Sequence, residues 1–206
     1  MAIRLIVGLG NPGPRYADTR HNAGAWFVER LARRFGVGMA GESRFKGDVG
    51  RAHILGHDVR LLLPHTFMNL SGESVGALAR FYRIEPGEIL VAYDEMDFEP
   101  GVLRLKSGGG ANGHNGISSV IDALGNERGF QRLRIGVGHP GDKSRVTAYL
   151  TSVTAPSAER DRIEAAFEIP DGVLKDLLDG NLQKVMNWLH APPAGDAAEP
   201  GETGDD

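Results

Sequence analysis

The chain contains no cysteine. That absence excludes disulfides, thiolate metal sites and a cysteine nucleophile, and it fits a reducing cytoplasm. Long apolar runs are also missing. The opening "MAIRLIVGLGNPG" is apolar only briefly before Gly and Pro end it, so no signal peptide is expected. No other stretch approaches the roughly 18 apolar residues a membrane span needs, and no membrane partner is expected. There is no internal repeat, no G-x-S-x-G, no H-E-x-x-H and no Walker loop. A covalent or metal-assisted mechanism therefore has no sequence signature here.

What is present is an ordinary globular composition: 206 residues, 41% hydrophobic and 24% charged, enough for one domain plus a tail. The net charge of −4 is unevenly spread. The last sixteen residues, "APPAGDAAEPGETGDD", hold five acids and no base, so the body carries +1. Within residues 101–150, seven Lys or Arg face three acids, a local +4. A local basic field matters more than total charge for a phosphate-bearing partner, although basic surplus alone also describes a solvated face. The tail, residues 191–206, is too poor in apolar bulk to pack and is expected to be disordered, leaving residues 1–190 as the domain.

Strand patterns fall at 3–9, 45–55, 58–63, 88–93, 101–106 and 132–137, with "LGHD" suiting a hairpin between the second and third. Helical periodicity appears at 22–35, where Ala23, Trp26, Phe27, Leu31 and Phe35 share one side. Further helices are expected at 71–83, 115–124, 157–167 and 172–189. Interleaved helices and strands with a hairpin predict an α/β domain with a mixed sheet. Gly-rich loops follow the 3–9, 101–106 and 132–137 strands, and are expected to converge at one edge of the sheet.

The first loop, "GLGNPG", spells the G-x-G-x-x-G of a dinucleotide site. Such a site needs a helix to begin inside the motif, with its amides aimed at a pyrophosphate. Here Pro12 and Pro14 flank Gly13, and helical pattern resumes only near Asn22. The motif reads as a turn that presents Asn11, Tyr16, Arg20, His21 and Asn22. Other polar groups stand at strand ends or in glycine turns: Asn69 after "HTFM", Asp94 after "ILVAY", and His114–Asn115 in "NGHNG". A histidine serves as general base near neutral pH when a carboxylate accepts its other N–H. His21 or His114 can take that role with Asp94 as the orienting acid. Amides such as Asn11, Asn69 and Asn115 can hold a carbonyl or steady a water. The blander alternatives are capping or surface roles for His21 and Asp94, an N-cap role for Asn115, and simple packing for Met68.

Four segments, "GLGNPGPRYADTRHNAG", "PHTFMNLSGESV", "DEMDFEPGVLRLKSGGGANGHNGI" and "FQRLRIGVGHPGDK", closely resemble the bacterial peptidyl-tRNA hydrolase family in order and spacing. The likeness covers about residues 3–190. It implies a single α/β domain, a twisted mixed β-sheet surrounded by helices, acting as a cytoplasmic monomer without cofactor or metal. Its substrate would be peptidyl-tRNA, cleaved at the ester to the terminal ribose. By the same resemblance, His21 is the general base, Asp94 its orienting acid and Asn11 an amide at the reacting centre. Asn69 and Asn115, with His114 beside them, would handle the peptide and the attacking water. Met68 would form an apolar wall, Tyr16 the rim, and Lys106 and Arg134 the basic pair that grips the tRNA 5′ phosphate region. One departure stands out: "GGGANGHNG" carries Ala111 and Asn112 where the family commonly has His-Gly, which an Asn can accommodate because it tolerates left-handed geometry. Two other classes stay in view, a catalytically silent RNA-binding relative and a dinucleotide oxidoreductase.

Overall fold

The computed structural model describes residues 1–191, so all but the first residue of the acidic tail lies outside the described residues. Seven strands form one mixed sheet: β1 (Leu5–Gly8), β2 (Ala40–Glu42), β3 (Gly47–Ile54), β4 (His57–Pro64), β5 (Ile89–Glu95), β6 (Leu103–Ser107) and β7 (Gln131–Gly136), in the order β2-β3-β4-β1-β5-β7-β6. The four central strands β4, β1, β5 and β7 run parallel, while β2–β3, β3–β4 and β6–β7 pair antiparallel. Central strands covered on both faces must be apolar throughout, which is why "LIVG" and "ILVAY" are continuous hydrophobic runs.

Helices cover both faces: α1 (Ala23–Arg34), α2 (Ser71–Tyr82), α3 (Asn115–Ala123), α4 (Val146–Thr151), α5 (Ser157–Ala165), α6 (Asp171–Asp179) and α7 (Leu182–Leu189). Strand alternation splits the core in two. Ile6, Leu90 and Ala92 pack with Trp26, Phe27 and Leu31 of α1 and with the C-terminal helices. Leu5, Val7, Val91 and Tyr93 pack with Val75 and Leu78 of α2 and with Ile117 and Val120 of α3. Each fully buried Val, Leu, Ile or Phe side chain among these contributes about 1.5–3 kcal/mol.

The expected helix at 172–189 is two helices. Gly180 breaks it in the left-handed region (φ 81°), where its missing Cβ lets the Met1 backbone approach to within 2.1 Å of where that atom would stand. After this turn α7 lies along β6, the last strand of the sheet. There the Leu105 N–H donates to His190 Nε2 (3.2 Å) and an Arg104 N–H donates to the Leu189 carbonyl (2.9 Å).

Of the three glycine loops, the one after β6 reaches the site by an indirect route. The loops after β1 and β7 do leave from the same end of the sheet, because those strands are parallel to β5 on either side of it. Strand β6 is antiparallel, and its last residue, Ser107, sits opposite Gln131 at the start of β7. The third loop therefore departs from the far end and must travel back before α3 begins. Buried Arg132 holds it on the way, donating to the carbonyls of Gly109 and Gly110.

Candidate active site

The loop after β1 turns through Gly13 (φ 92°) and a series of i→i+3 bonds, Gly13 to Tyr16, Tyr16 to Thr19 and Thr19 to Asn22, before α1 starts. His21 lies in the middle of that last 3-10 turn, and two contacts on either side immobilise it. Arg20 is buried and forms a two-pronged pair with Glu159 of α5 (2.6 and 2.9 Å), its guanidinium 3.9 Å from the Tyr149 ring centroid. Asn22 grips the main chain of Asn11 at both ends, accepting its N–H (2.8 Å) and donating to its carbonyl (3.0 Å). The first-turn amide of α1 at Ala25 is taken by the Leu9 carbonyl (3.0 Å), so no free helix N-terminus is offered to a pyrophosphate. The glycine motif serves the close packing of strand, turn and helix, and the dinucleotide reading is discarded.

Asp94 ends the Leu90–Ala92–Asp94 side of β5, the side on which α1 packs, and is 3% exposed. His21 Nδ1 donates to both of its carboxylate oxygens, at 2.8 and 3.0 Å. His114 Nε2 donates to Oδ1 at 2.9 Å, while His114 Nδ1 accepts the Ile117 N–H at 3.3 Å and so caps α3. These partners fix both tautomers: the proton of His21 is on Nδ1 and that of His114 on Nε2. The two imidazoles stand 5.0 Å apart, with the Tyr93 ring edge-on to His114 at 4.9 Å.

Burial opposes ionisation of Asp94, but the two histidines outweigh it and hold the carboxyl well below the ordinary carboxylate range. Burial likewise lowers the pKa of His21, and the charge of Asp94 together with its hydrogen bond overcomes this and raises it above 6.5. The result is an ionised carboxylate beside an imidazole of increased basicity, with His21 Nε2 making no hydrogen bond among the described residues. Among the described residues, His21, Asp94 and His114 also form the one group spaced for a metal, with ligand atoms within 4.8 Å of one another. In this arrangement both nitrogens are already spent on Asp94.

A cavity of about 290 Å³ lies over these groups, lined by His21, Asp94, His114 and Asn115 together with Val146 and Leu150 around α4. The other expected residues are distributed around it. Asn11 lies on the far side of the turn, and its Oδ1 accepts the Met68 N–H at 2.8 Å. Met68 is buried at 4% exposure, next to Gly116 and Leu9, and lines neither this cavity nor the next. Asn69 opens onto a separate groove that it shares with Asn115. Tyr16 is half-buried, with its ring perpendicular to exposed Phe67 at 6.2 Å. Asn112 adopts φ 48° before Gly113 at φ 80°, so the departure in this loop is absorbed by left-handed backbone that Asn tolerates.

Lys106 and Arg132 face each other across β6 and β7, as do Arg104 and Arg134, which places all four cations on one face of the strand pair. Arg134 is engaged by Glu95 (2.8 and 3.0 Å) and lies over the Phe98 ring at 4.6 Å, whereas Lys106 is exposed and makes no ion pair among the described residues. Sequence reasoning gave no part to Arg132, Tyr93 or Glu159. Arg132 and Tyr93 are polar groups inside apolar strands, whereas Glu159 belongs to the polar helix α5, where nothing in the sequence sets it apart from Asp161 or Glu164.

Fold and site together define a single-domain α/β enzyme with a histidine–carboxylate centre. The model of the family described as peptidyl-tRNA hydrolase matches residues 5–197, and the chain belongs to that family. Relatives named peptidyl-tRNA hydrolase from Shewanella denitrificans and Mannheimia succiniciproducens are 53% and 54% identical, over 92% and 91% of this chain and 96% of each relative. The crystal structure of peptidyl-tRNA hydrolase from Acinetobacter baumannii is 49% identical and superposes with a TM-score of 0.86, over 92% of this chain and 95% of that one. A further crystal structure, of a peptidyl-tRNA hydrolase in complex with N-propanol, gives a TM-score of 0.87 at 49% identity, over 93% and 97%.

Proposed function

We propose that this protein hydrolyses the ester between a peptide and the 3′-terminal ribose of tRNA, with His21 as general base and Asp94 as its orienting acid. The observation that carries this reading is the buried His21 Nδ1–Asp94 contact, which leaves Nε2 as the only basic nitrogen of His21 available to a water. In the reaction Nε2 takes a proton from water as the water attacks the ester carbonyl. The imidazolium formed is stabilised by the Asp94 carboxylate, and its proton passes to the departing ribose oxygen as the ester bond breaks, releasing the ribose as its hydroxyl and the peptide as a carboxylate. His114 shares Asp94 and keeps the carboxylate in place, and Asn115 is positioned to bond the water or the carbonyl.

Asn11, pinned by Asn22, holds the Met68–Asn69 segment from the other side, so its contribution includes placing Asn69 for the peptide. Lys106 and Arg134, on the basic face of β6–β7, contact tRNA phosphates, and Tyr16 stands at the rim toward the tRNA terminus. A monomer is the state the family resemblance implies, and it is kept here as part of the proposal. The absence of cysteine and a substrate made by ribosomes support a cytoplasmic location. No helix among the described residues is long and apolar enough to cross a membrane.

The test is release of the acyl group from N-acetylated aminoacyl-tRNA by the wild type and by His21→Ala. Rapid cleavage by the wild type with near-silence from the variant supports the assignment. A wild type that binds tRNA without cleaving it would replace the enzyme with an RNA-binding relative.

A further inference from the structure

The loop that brings His114 and Asn115 to the site is poor in anchors of its own. Residues 107–113 read "SGGGANG", and Gly108, Gly109, Asn112 and Gly113 all have positive φ, between 48° and 104°. A backbone so rich in glycine has little conformational preference of its own. Its root is fixed where the Gly108 N–H donates to the Phe130 carbonyl (3.1 Å), and its end where His114 meets Asp94 (2.9 Å). Between those points the loop makes only two hydrogen bonds to another element among the described residues. Both come from Arg132, which donates to the carbonyls of Gly109 and Gly110.

Arg132 is a costly residue for that place. It is 1% exposed and makes no ion pair among the described residues, and its Nε has no hydrogen-bond partner among them. Its guanidinium lies 4.5 Å from the Phe130 ring centroid. A buried cation without a carboxylate is destabilising where a well-packed apolar residue of similar volume would not be. What the guanidinium alone supplies is a long planar fork that meets two successive carbonyls at once. Gly109 makes room for this, since a Cβ there would stand 3.0 Å from Lys106 Cε and Nζ and 3.9 Å from Arg132 Nη1. Arg132 lines no part of the chamber over His21, Asp94 and His114.

We propose that Arg132 is a positioning residue for the hydrolysis: by holding Gly109 and Gly110 it sets His114 on Asp94 and Asn115 at the chamber, without touching the reacting atoms. The proposal rests on the hydrolase reading given above. Without the fork the two carbonyls turn to water, and His114 loses the fixed approach that keeps its proton on Nε2. Misplacement by about 1 Å in such a constellation lowers turnover by about a hundredfold.

The experiment uses Arg132→Met, which keeps a buried stem and removes the fork, and Arg132→Lys, which keeps the charge but lacks the fork. With N-acetylated aminoacyl-tRNA, kcat is expected to fall by about ten- to a hundredfold in Arg132→Met and by less in Arg132→Lys. Affinity for deacylated tRNA, and its salt slope, should stay at the wild-type value in both, because a buried side chain neutralises no phosphate. In protein labelled with ¹⁵N-histidine, the wild-type shifts of His114 should be those of a fixed Nε2–H tautomer. In Arg132→Met they should average between tautomers, while those of His21 stay. If Arg132→Met does not fold, Arg132→Lys carries the same readouts with smaller changes. Unchanged kcat, a salt slope reduced by about one, or His114 shifts that remain those of the wild type would each overturn the proposal. A wild type that cleaves no ester removes the hydrolase reading, and the His114 shifts then still decide whether Arg132 sets the loop.

Discussion

Gly24 lies against the carbonyl of Ala92 so closely that a Cβ on Gly24 would stand 2.1 Å from that oxygen. Helix α1 can approach β5 only because position 24 has no side chain, and that approach sets His21, three residues earlier, against Asp94, two residues later. Gly24→Ala is therefore expected to push the two elements apart. Overpacking of this kind costs about 1–3 kcal/mol, which in a chain of this size lowers Tm by roughly 5 °C. Ester cleavage should fall further than the loss of folded protein explains. An unchanged Tm and normal turnover would show that the contact does not set the site.

Removal of the base should be nearly complete. His21→Ala is expected to lower kcat by about 10²–10⁴-fold, the usual contribution of a general base, without a matching loss of tRNA affinity. Near-wild-type turnover in this variant would place the chemistry elsewhere.

The pH profile follows from the charge on Asp94. His21 must be neutral to accept a proton, and its pKa is raised above 6.5, so kcat/KM should climb through a limb whose midpoint lies above that value. Stability runs in the opposite sense: the His21⁺–Asp94 contribution is fully present below pH 6.5 and fades as pH rises through the higher folded value. In Asp94→Asn only the effect of burial remains, and the limb should move to lower pH while kcat drops. A limb that stays where it was would assign it to another group.

Much of this site was readable in advance, and the reasons for the exceptions are physical. His21, Asp94, Asn115 and His114 stand at the ends of strongly patterned elements, and strand β5 and helices α1, α2 and α3 lie within two residues of their expected limits. Strand β2 escaped notice because "AGE" has neither alternation nor apolar bulk, and α4 because six residues are too few for a period. One helix was expected where Gly180 makes two. The sharing of Asp94 by two histidines was invisible, since their partners lie 73 and 20 residues apart and only the return path of the loop after β6 brings them together.

The buried ion pair beside the site should be costly to break. Arg20→Ala strands Glu159 in a mostly buried position, and such a loss is worth about 3 kcal/mol, or on the order of 10 °C in Tm. Thermal unfolding of Arg20→Ala alongside Arg20→Ala/Glu159→Gln checks this, because the double variant should recover part of the loss. Equal melting of both would mean that the stranded charge is not the cause.

Salt dependence separates the two basic residues. Lys106 is exposed and makes no ion pair among the described residues, so Lys106→Ala should weaken tRNA binding and reduce the slope of log affinity against log salt by about one. Arg134 is already engaged by Glu95, and its Ala variant should reduce the slope less. Slopes that remain at the wild-type value in both variants would remove the β6–β7 face from the tRNA interface.

The lodging of α7 along β6 has a consequence beyond the native packing. An uncovered outer strand offers its unbonded amides and carbonyls to any other chain with an extended segment, and "LRLKS" alternates in the way such templates do. By occupying Leu105 N–H with His190 and shielding the strand, the last helix acts as a guard against self-association. Shortening the chain before Leu182 would then show first as loss of soluble yield and growth of β-rich aggregates, ahead of any defect in the chemistry of the site.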